Sequence, residues 1–390
     1  MKHNKSRIDL RFWLLLCVMS CCSMMSAQLH INSCVIDSKT GKTLPFATIY
    51  INGDKNTISN VEGEFVIDAD STDVLRISYV GYNTLYIPAR EVKSKVKLNG
   101  EGRTIDEVVV MGTDYVINQV MKRIGKDLRK HKKYKTNFFY RQVSRTGRQC
   151  STFLEAFFMG KSAVQLRDLS LAQGRFVSAV SSLTTNPTNY FTFAEIQVSN
   201  DKLERYQANQ IVPLVNNYKV YYRTSCQTIS DGEKRVYVLS FEPRSEKTWG
   251  VKGKLYVDGD TYQLLKYEGE GQKDCVKNGR GDDLRVLPVK YTFVVNYQHD
   301  HGFTEVQSVY FEVDFMDENK HYVTNGTMFN VSNRFAVGKG TMKFYDNLYK
   351  MVSEKGVDSD FWEKNEIVKL SPLEKEARKI FERDNLMRVY

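Results

Sequence analysis

The sequence predicts a mostly β chain with flanking helices, and three patterns lead to that prediction. Apolar and polar residues alternate along 47–51, which is the period of a half-buried strand. Aromatic and branched residues alternate in the same way along 289–297 and 309–315. The one clear amphipathic helix lies over 114–134, where apolar residues recur at spacings of three and four.

A series of short motifs fills the stretch from Val35 to Tyr82. They are V-x-D (Val35, Asp37), Leu44-Pro45-Phe46-Ala47, Glu62-Gly63-Glu64-Phe65 and Ser78-Tyr79-Val80-Gly81-Tyr82. Together they resemble the carboxypeptidase-like regulatory domain, a small module of exported bacterial proteins. The resemblance implies a transthyretin-like β-sandwich over residues 28–98. It also implies an accessory domain without catalytic residues.

Residues 99–112 are predicted to be a linker strand between two domains. The linker begins with a glycine-containing break, and its second half reads Ile105-Asp106-Glu107-Val108-Val109-Val110-Met111-Gly112. That half resembles the segment that follows the same domain in TonB-dependent outer-membrane transporters. Too few residues follow here for the rest of such a transporter, so the linker is predicted to join the sandwich to a second domain, 113–390.

The second domain contains a hairpin over 253–268 with an Asp258-Gly259-Asp260-Thr261 turn. It resembles a hairpin of periplasmic carriers of outer-membrane lipoproteins, which implies a curved antiparallel sheet, half-barrel-like, around a lipid-binding cavity. The candidate cavity lining consists of Tyr291, Phe293, Val295, Tyr297, Phe311 and Val313. The alternative is a closed core without a cavity, in which the same residues pack against one another.

Other parts of the second domain are patterned unevenly. Residues 161–215 show no clear period and are predicted to be a helix-loop insertion. Ser371-Pro372-Leu373-Glu374 is a capping box that predicts a C-terminal helix. Phe139-Tyr140-Arg141 and Leu154-Glu155-Ala156 resemble strands shared by a group of uncharacterised exported bacterial proteins.

The N-terminal residues 1–27 are predicted to be a signal peptide, because a basic start precedes a short apolar core. Ser26-Ala27 predicts cleavage after Ala27. The alternative is a lipoprotein, because Val18-Met19-Ser20-Cys21 resembles a lipobox that would place a lipid on Cys21. Both alternatives predict an exported protein in the periplasm or at the periplasmic face of the outer membrane.

The formal net charge of +10 overstates the charge of the mature chain, because the predicted signal is itself basic. Much of the remaining positive charge falls within 122–135, and Lys130, Lys132 and Lys133 are candidate contacts to an anionic surface. A solvated helix face is the simpler interpretation. Export disfavours nucleic acid as a partner.

Candidate residues for chemistry are few. No catalytic, cofactor-binding or metal site is predicted, and no cofactor is expected. His299 and His301 could share a metal, but an exposed polar turn is the favoured interpretation. Four cysteines lie beyond the signal, namely Cys34, Cys150, Cys226 and Cys275, and their pairing stays open.

The predicted function is a non-catalytic binding or scaffold component of the envelope that holds an apolar ligand, either a lipid or an acyl chain. Its expected partners are that ligand and an outer-membrane protein. Two alternatives remain. One is a hydrolase with an accessory domain, and the other is a cell-surface adhesin or assembly component.

Overall fold

The fold was analysed in a computed structural model of the chain. It describes residues 28–52, 55–100, 112–130, 135–164, 166–178, 218–231, 234–244, 251–278, 284–317, 319–331, 340–342, 348–356, 358–364, 370–371, 374–376 and 378–379. The predicted signal and most of the predicted linker lie outside these residues. Within the described part of the chain, no helix combines the length and the apolar character needed to cross a membrane.

The first seven strands form two small sheets packed face to face. Their bounds are β1 Gln28–Asp37, β2 Thr48–Ile51, β3 Lys55–Ile58, β4 Glu64–Asp70, β5 Val74–Ser78, β6 Leu85–Pro88 and β7 Lys95–Leu98. One sheet has the order β4-β1-β7 and the other β3-β2-β5-β6. Phe65, Leu75 and Ile77 are fully buried between them. This arrangement is the predicted β-sandwich.

The remaining strands form one curved sheet, which is antiparallel throughout and open at both edges. Their bounds are β8 Lys135–Thr146, β9 Gln149–Ser162, β10 Leu166–Ser178, β11 Tyr222–Asp231, β12 Lys234–Pro243, β13 Lys252–Asp258, β14 Leu264–Asn278, β15 Leu284–Gln298, β16 Glu305–Asp317 and β17 Lys320–Val331. Their order is β10-β9-β8-β17-β16-β15-β14-β13-β12-β11. The predicted fold class is therefore confirmed.

One prediction about this sheet was wrong. Residues 166–178 are strand β10 and not part of a helix-loop insertion. The pairing of β10 with β9 shifts register twice, once between Arg167 and Ser170 and once between Leu171 and Gln173. Each shift moves the following side chains out of phase, so the sequence loses the two-residue period that marks a strand.

Among the described residues, short helical stretches occupy 374–376 and 378–379, and four longer helices accompany the sheet. Their bounds are α1 Thr113–Lys130, α2 Tyr218–Tyr221, α3 Leu348–Lys355 and α4 Ser359–Lys364. The apolar side of α1, with Val116, Val120 and Ile124, is fully buried against one face of the sheet, which we call the inner face. This confirms the amphipathic helix over its described length.

Polar contacts hold α1 at both ends of its apolar side. Near its start, Asp114 accepts hydrogen bonds from Tyr218 and Lys219 of α2. Near its end, the buried Asp127 accepts hydrogen bonds from the Thr304 hydroxyl at 2.7 Å and the Thr304 backbone N–H at 3.2 Å. The helix is thereby fixed across the inner face.

The sandwich packs against the opposite, outer face of the sheet. Phe46 stacks on Tyr310 with ring centroids 4.7 Å apart. The Thr48 hydroxyl donates to the Gln307 side-chain oxygen at 2.9 Å, and the Gln307 amide donates to the Tyr50 hydroxyl at 2.9 Å. Because these polar groups are buried and paired, the contact between the two domains is specific as well as apolar.

Candidate ligand-binding groove

One row of side chains runs across the whole outer face of the large sheet. The row contains one residue from each strand. From β10 at one edge of the sheet to β11 at the other edge, these residues are Arg175, Glu155, Arg141, Thr327, Tyr310, Val294, Glu268, Lys254, Ser240 and Ser225. Cross-strand partners point to the same face, so this register places all ten on the outside. The sandwich and the C-terminal elements cover the first half of the row, and the second half is open within the described part of the chain.

The covered half contains a buried charge cluster. Glu155 lies between Arg141 and Arg175, with Oε1 2.8 Å from Arg141 Nε and Oε2 2.7 Å from Arg175 Nε. Burial alone would raise the pKa of Glu155, but the two guanidinium groups outweigh it and lower that pKa. Arg175 also lies 4.1 Å from the ring centroid of Trp362 in α4. The cluster therefore joins three strands to a C-terminal helix.

The predicted capping box contributes to the same cluster. The Ser371 backbone N–H donates to Glu374 Oε2 at 2.7 Å, and the Glu374 N–H donates to Ser371 Oγ at 3.3 Å. These reciprocal bonds confirm the capping box. Glu374 Oε2 also lies 3.4 Å from Arg141 Nη1.

The open half of the outer face forms a groove of about 580 Å³ that crosses five strands, β11 to β15. We call it the outer-face groove. Two parallel rows of side chains line it. The first row is Ser225, Ser240, Lys254, Glu268 and Val294, and the second is Arg223, Glu242, Lys252, Glu270 and Thr292. Phe241 and Phe293, whose side chains belong to the inner-face core, border the groove between these rows.

The floor of the groove is almost bare backbone. Gly253 and Gly269 are directly paired across β13 and β14, and both lie between the two rows. A Cβ added to Gly253 would collide with the backbone oxygen of Glu268 and would lie only 2.9 Å from the Gly269 Cα. The two strands therefore approach closely, and glycine is required for that approach.

A carboxylate at the edge of the groove is held in place from two sides. Glu268 Oε2 is 2.7 Å from Lys266 Nζ, and its Oε1 accepts a hydrogen bond from the Tyr256 hydroxyl at 2.8 Å. Burial would raise the pKa of Glu268, but Lys266 together with the hydrogen bonds lowers it. Lys266 Nζ also lies 5.2 Å from the ring centroid of Tyr79, so the sandwich contacts the groove through this lysine.

The predicted cavity lining lies on the inner face, behind the groove. Its members are Tyr291, Phe293, Val295, Tyr297, Phe311 and Val313, and all are buried in the core that α1 covers. The Phe293 ring packs on Tyr267 with centroids 4.6 Å apart. The predicted alternation of these residues toward one face is therefore present, and Phe293 alone among them also borders the outer-face groove.

Other predicted sites lie mostly outside the described residues. Cys21, Lys132 and Lys133 fall outside them, and Lys130 is the last residue of α1, with its side chain not described. The predictions of lipidation and of an anionic-surface contact therefore remain predictions. Within the described part of the chain, no group of three or more His, Cys, Asp or Glu side chains is arranged to hold a metal ion.

The turn that contains His299 and His301 is exposed at 300–302, as expected, and only His299 is partly buried. The His299 Nε2 lies 2.8 Å from the Leu264 carbonyl oxygen, and burial lowers the pKa of this histidine. His301 Nδ1 lies 2.6 Å from Glu305 Oε2, and burial raises the pKa of Glu305. The two histidines thus bind different groups of the protein itself.

The cysteines can be placed only in part. No disulfide joins Cys34, Cys150 and Cys226 to one another. The Cys150 thiol is buried, and burial raises its pKa to about 12. A thiol with so high a pKa is a poor nucleophile at neutral pH. The side chain of Cys275 lies outside the described residues.

Comparison with known proteins supports the first resemblance seen in the sequence, that of the N-terminal domain. Residues 32–110 match the CarboxypepD_reg-like domain family. A TonB-dependent receptor from Formosa agariphila is 38% identical over 96 residues, which are 24% of this chain and 9% of the receptor. The chain thus matches less than a tenth of that relative's length.

Two solved structures align with the larger part of the chain. A LolA superfamily protein from Nitrosomonas europaea has 12% identity and a TM-score of 0.23, covering 60% of this chain and 100% of its own. An outer membrane lipoprotein-sorting protein domain from Vibrio parahaemolyticus has 12% identity and a TM-score of 0.25, covering 62% of this chain and 99% of its own. Scores this low do not establish a common fold.

Proposed function

We propose that the chain is an exported, non-catalytic binding component of the bacterial envelope that holds a lipid in the outer-face groove. The observation that carries the proposal is the groove itself, which opens at the point where the sandwich stops covering the sheet. Its volume of about 580 Å³ falls within the range of ligand sites, about 300–1,000 Å³. The predicted signal peptide supports the envelope location, as does the domain shared with a TonB-dependent receptor.

The chemistry of the groove favours binding over catalysis. A general acid or base works best with a pKa near the operating pH. The pKa of Glu268 is instead lowered, despite its burial, because Lys266 and the Tyr256 hydroxyl stabilise the carboxylate. Such a group binds positive charge well and transfers protons poorly. The hydrolase alternative has no comparable support from the groove.

The groove is also a better candidate than the inner face for the apolar part of the ligand. The inner-face aromatic residues are already buried in the core to which α1 belongs, so a ligand there would have to displace core side chains. In the groove, the methylene stems of Lys252, Lys254 and Glu270 border the glycine floor while their charged ends face solvent. An amphipathic molecule can therefore bind there without rearrangement of the core.

The proposal is tested with a matched pair of tryptophan variants. Ser225 and Gln227 are both exposed on the outer side of β11, two residues apart, but only Ser225 lines the groove. We expect protein purified from its own envelope to carry lipid in native mass spectrometry. Ser225→Trp should reduce the lipid-bound fraction about tenfold, and Gln227→Trp should leave it unchanged. Lipid-free wild-type protein, or equal occupancy in both variants, would contradict the proposal.

A further inference from the structure

The charges along the outer-face groove are segregated by strand. Strand β13 places Lys252 and Lys254 on the two sides of the groove, with Gly253 between them. Strand β14 places Glu268 and Glu270 in the same way around Gly269. The groove therefore has a cationic segment directly beside an anionic one.

The spacing of these two segments follows from the strand register. Gly253 is opposite Gly269, Lys254 is opposite Glu268, and Lys252 is opposite Glu270. Neighbouring strands lie about 4.8 Å apart, so the lysine pair and the glutamate pair are separated by about one strand spacing along the groove. A ligand that matches them needs one anionic and one cationic group at that separation.

We propose that the groove recognises the phosphoethanolamine headgroup of a phospholipid, an inference that rests on the proposed function. The phosphate lies between Lys252 and Lys254, and the primary ammonium lies between Glu268 and Glu270. The two-carbon bridge of the headgroup holds its phosphorus and nitrogen about one strand spacing apart. That bridge lies over the backbone of Gly253 and Gly269, between the two rows.

The same geometry discriminates between headgroups. A phosphocholine group has the same charges, but its methylated nitrogen has no N–H to donate to the carboxylates. A phosphoglycerol group has no cation, so it would leave Glu270 beside an anion. Glu268 is already paired with Lys266, so Glu270 supplies the larger share of the attraction for the ammonium.

The groove is partly pre-organised for such a ligand. The Tyr256 hydroxyl and Lys266 fix the position of the Glu268 carboxylate before anything binds. Fixing a binding group in advance lowers the entropy that binding costs. On the cationic side, Lys252 Nζ lies 3.6 Å from the exposed Glu242, a weak solvated pair that a phosphate can displace.

The test measures binding of short-chain phospholipids, presented as monomers, to the full chain. We expect dihexanoyl phosphatidylethanolamine to bind at least tenfold more tightly than the phosphatidylcholine and phosphatidylglycerol analogues. Glu270→Gln should remove most of the preference over phosphatidylcholine, and Lys254→Gln should weaken binding of all three lipids. Lys290→Gln is the control, because Lys290 is exposed on the neighbouring strand β15 and does not line the groove.

The outcomes separate this inference from the proposed function. Suppose that ethanolamine and choline lipids bind with equal affinity and that Ser225→Trp abolishes the binding of both. This result would overturn the headgroup assignment, while the proposal that the groove binds lipid would stand. An unchanged preference in Glu270→Gln would overturn the assignment as well. If inorganic phosphate alone displaced the lipid as well as glycerophosphoethanolamine does, the ammonium contact would be refuted. If no lipid bound to wild-type protein, both proposals would fail.

Discussion

Replacing Glu155 by alanine is expected to lower the free energy of unfolding by about 3–5 kcal/mol, because it leaves two guanidinium groups without their shared carboxylate. Both Arg141 and Glu155 are almost fully buried, and Arg175 completes the cluster with Nε 2.7 Å from Glu155 Oε2. Urea denaturation monitored by circular dichroism measures the change.

The matched control is Glu354→Ala. Glu354 forms an exposed pair with Lys350 at 3.8 Å within α3, so we expect a loss of less than about 1 kcal/mol. If the two alanine variants proved equally stable, the buried cluster would not be the structural centre that the contacts indicate.

The same cluster predicts a pH dependence. A carboxylate whose pKa is lowered by folding contributes stability that is fully present above its ordinary value of 4.5 and is lost as the pH falls through the lower folded value. Wild-type stability should therefore fall more steeply below about pH 4.5 than the stability of Glu155→Gln, in which this titration is absent. Denaturation midpoints measured between pH 3 and pH 7 would show parallel curves if Glu155 were not ionised in the fold.

Replacing Gly253 by alanine is expected to cost about 3 kcal/mol of stability, the upper end of what overpacking costs. The new methyl group meets the backbone oxygen of Glu268, and a paired backbone cannot rotate away as a side chain can. Because β13 and β14 must separate to relieve the collision, the floor of the groove widens. Lipid binding should fall together with stability.

Gly125→Ala is the control for this prediction, and it should act in the opposite direction. Gly125 lies within α1, and a Cβ there meets no heavy atom within 4 Å. Alanine in an open helical position is worth up to about 1 kcal/mol relative to glycine. Thermal unfolding of the two variants beside the wild type should give shifts of opposite sign, and a neutral Gly253→Ala would contradict the close approach of the strands.

Sequence periodicity was sufficient to predict which residues face inward, but it could not predict the groove. The alternation along β15 and β16 correctly placed Tyr291, Val295 and Phe311 on one face of the sheet. Lys252 and Lys254, by contrast, look like ordinary solvated residues when β13 is considered alone. Only the pairing of Gly253 with Gly269 brings these lysines beside Glu268 and Glu270. The sequence of a single strand does not determine its register with its neighbour.

The buried charge cluster shows the same limit. Arg141 and Glu155 each belong to a short motif in the sequence, but neither motif predicts that the two side chains form an ion pair. The β8–β9 register joins them, and Arg175 comes from β10, which two register shifts had hidden. Glu374 was predicted only as a helix cap, and its second contact with Arg141 depends on how the C-terminal segment packs.

The way in which the sandwich covers half of the sheet has a practical consequence. Phe46 and Ile58 of the sandwich share one apolar cluster with Phe139, Phe157 and Phe329 of the sheet. Phe157 also packs on Trp362 of α4, but a fragment that began at residue 112 would lose Phe46 and Ile58 and uncover their side of the cluster, which is a liability for aggregation. We therefore expect the regulatory-like module to keep the rest of the chain soluble, so the two should be expressed as one piece.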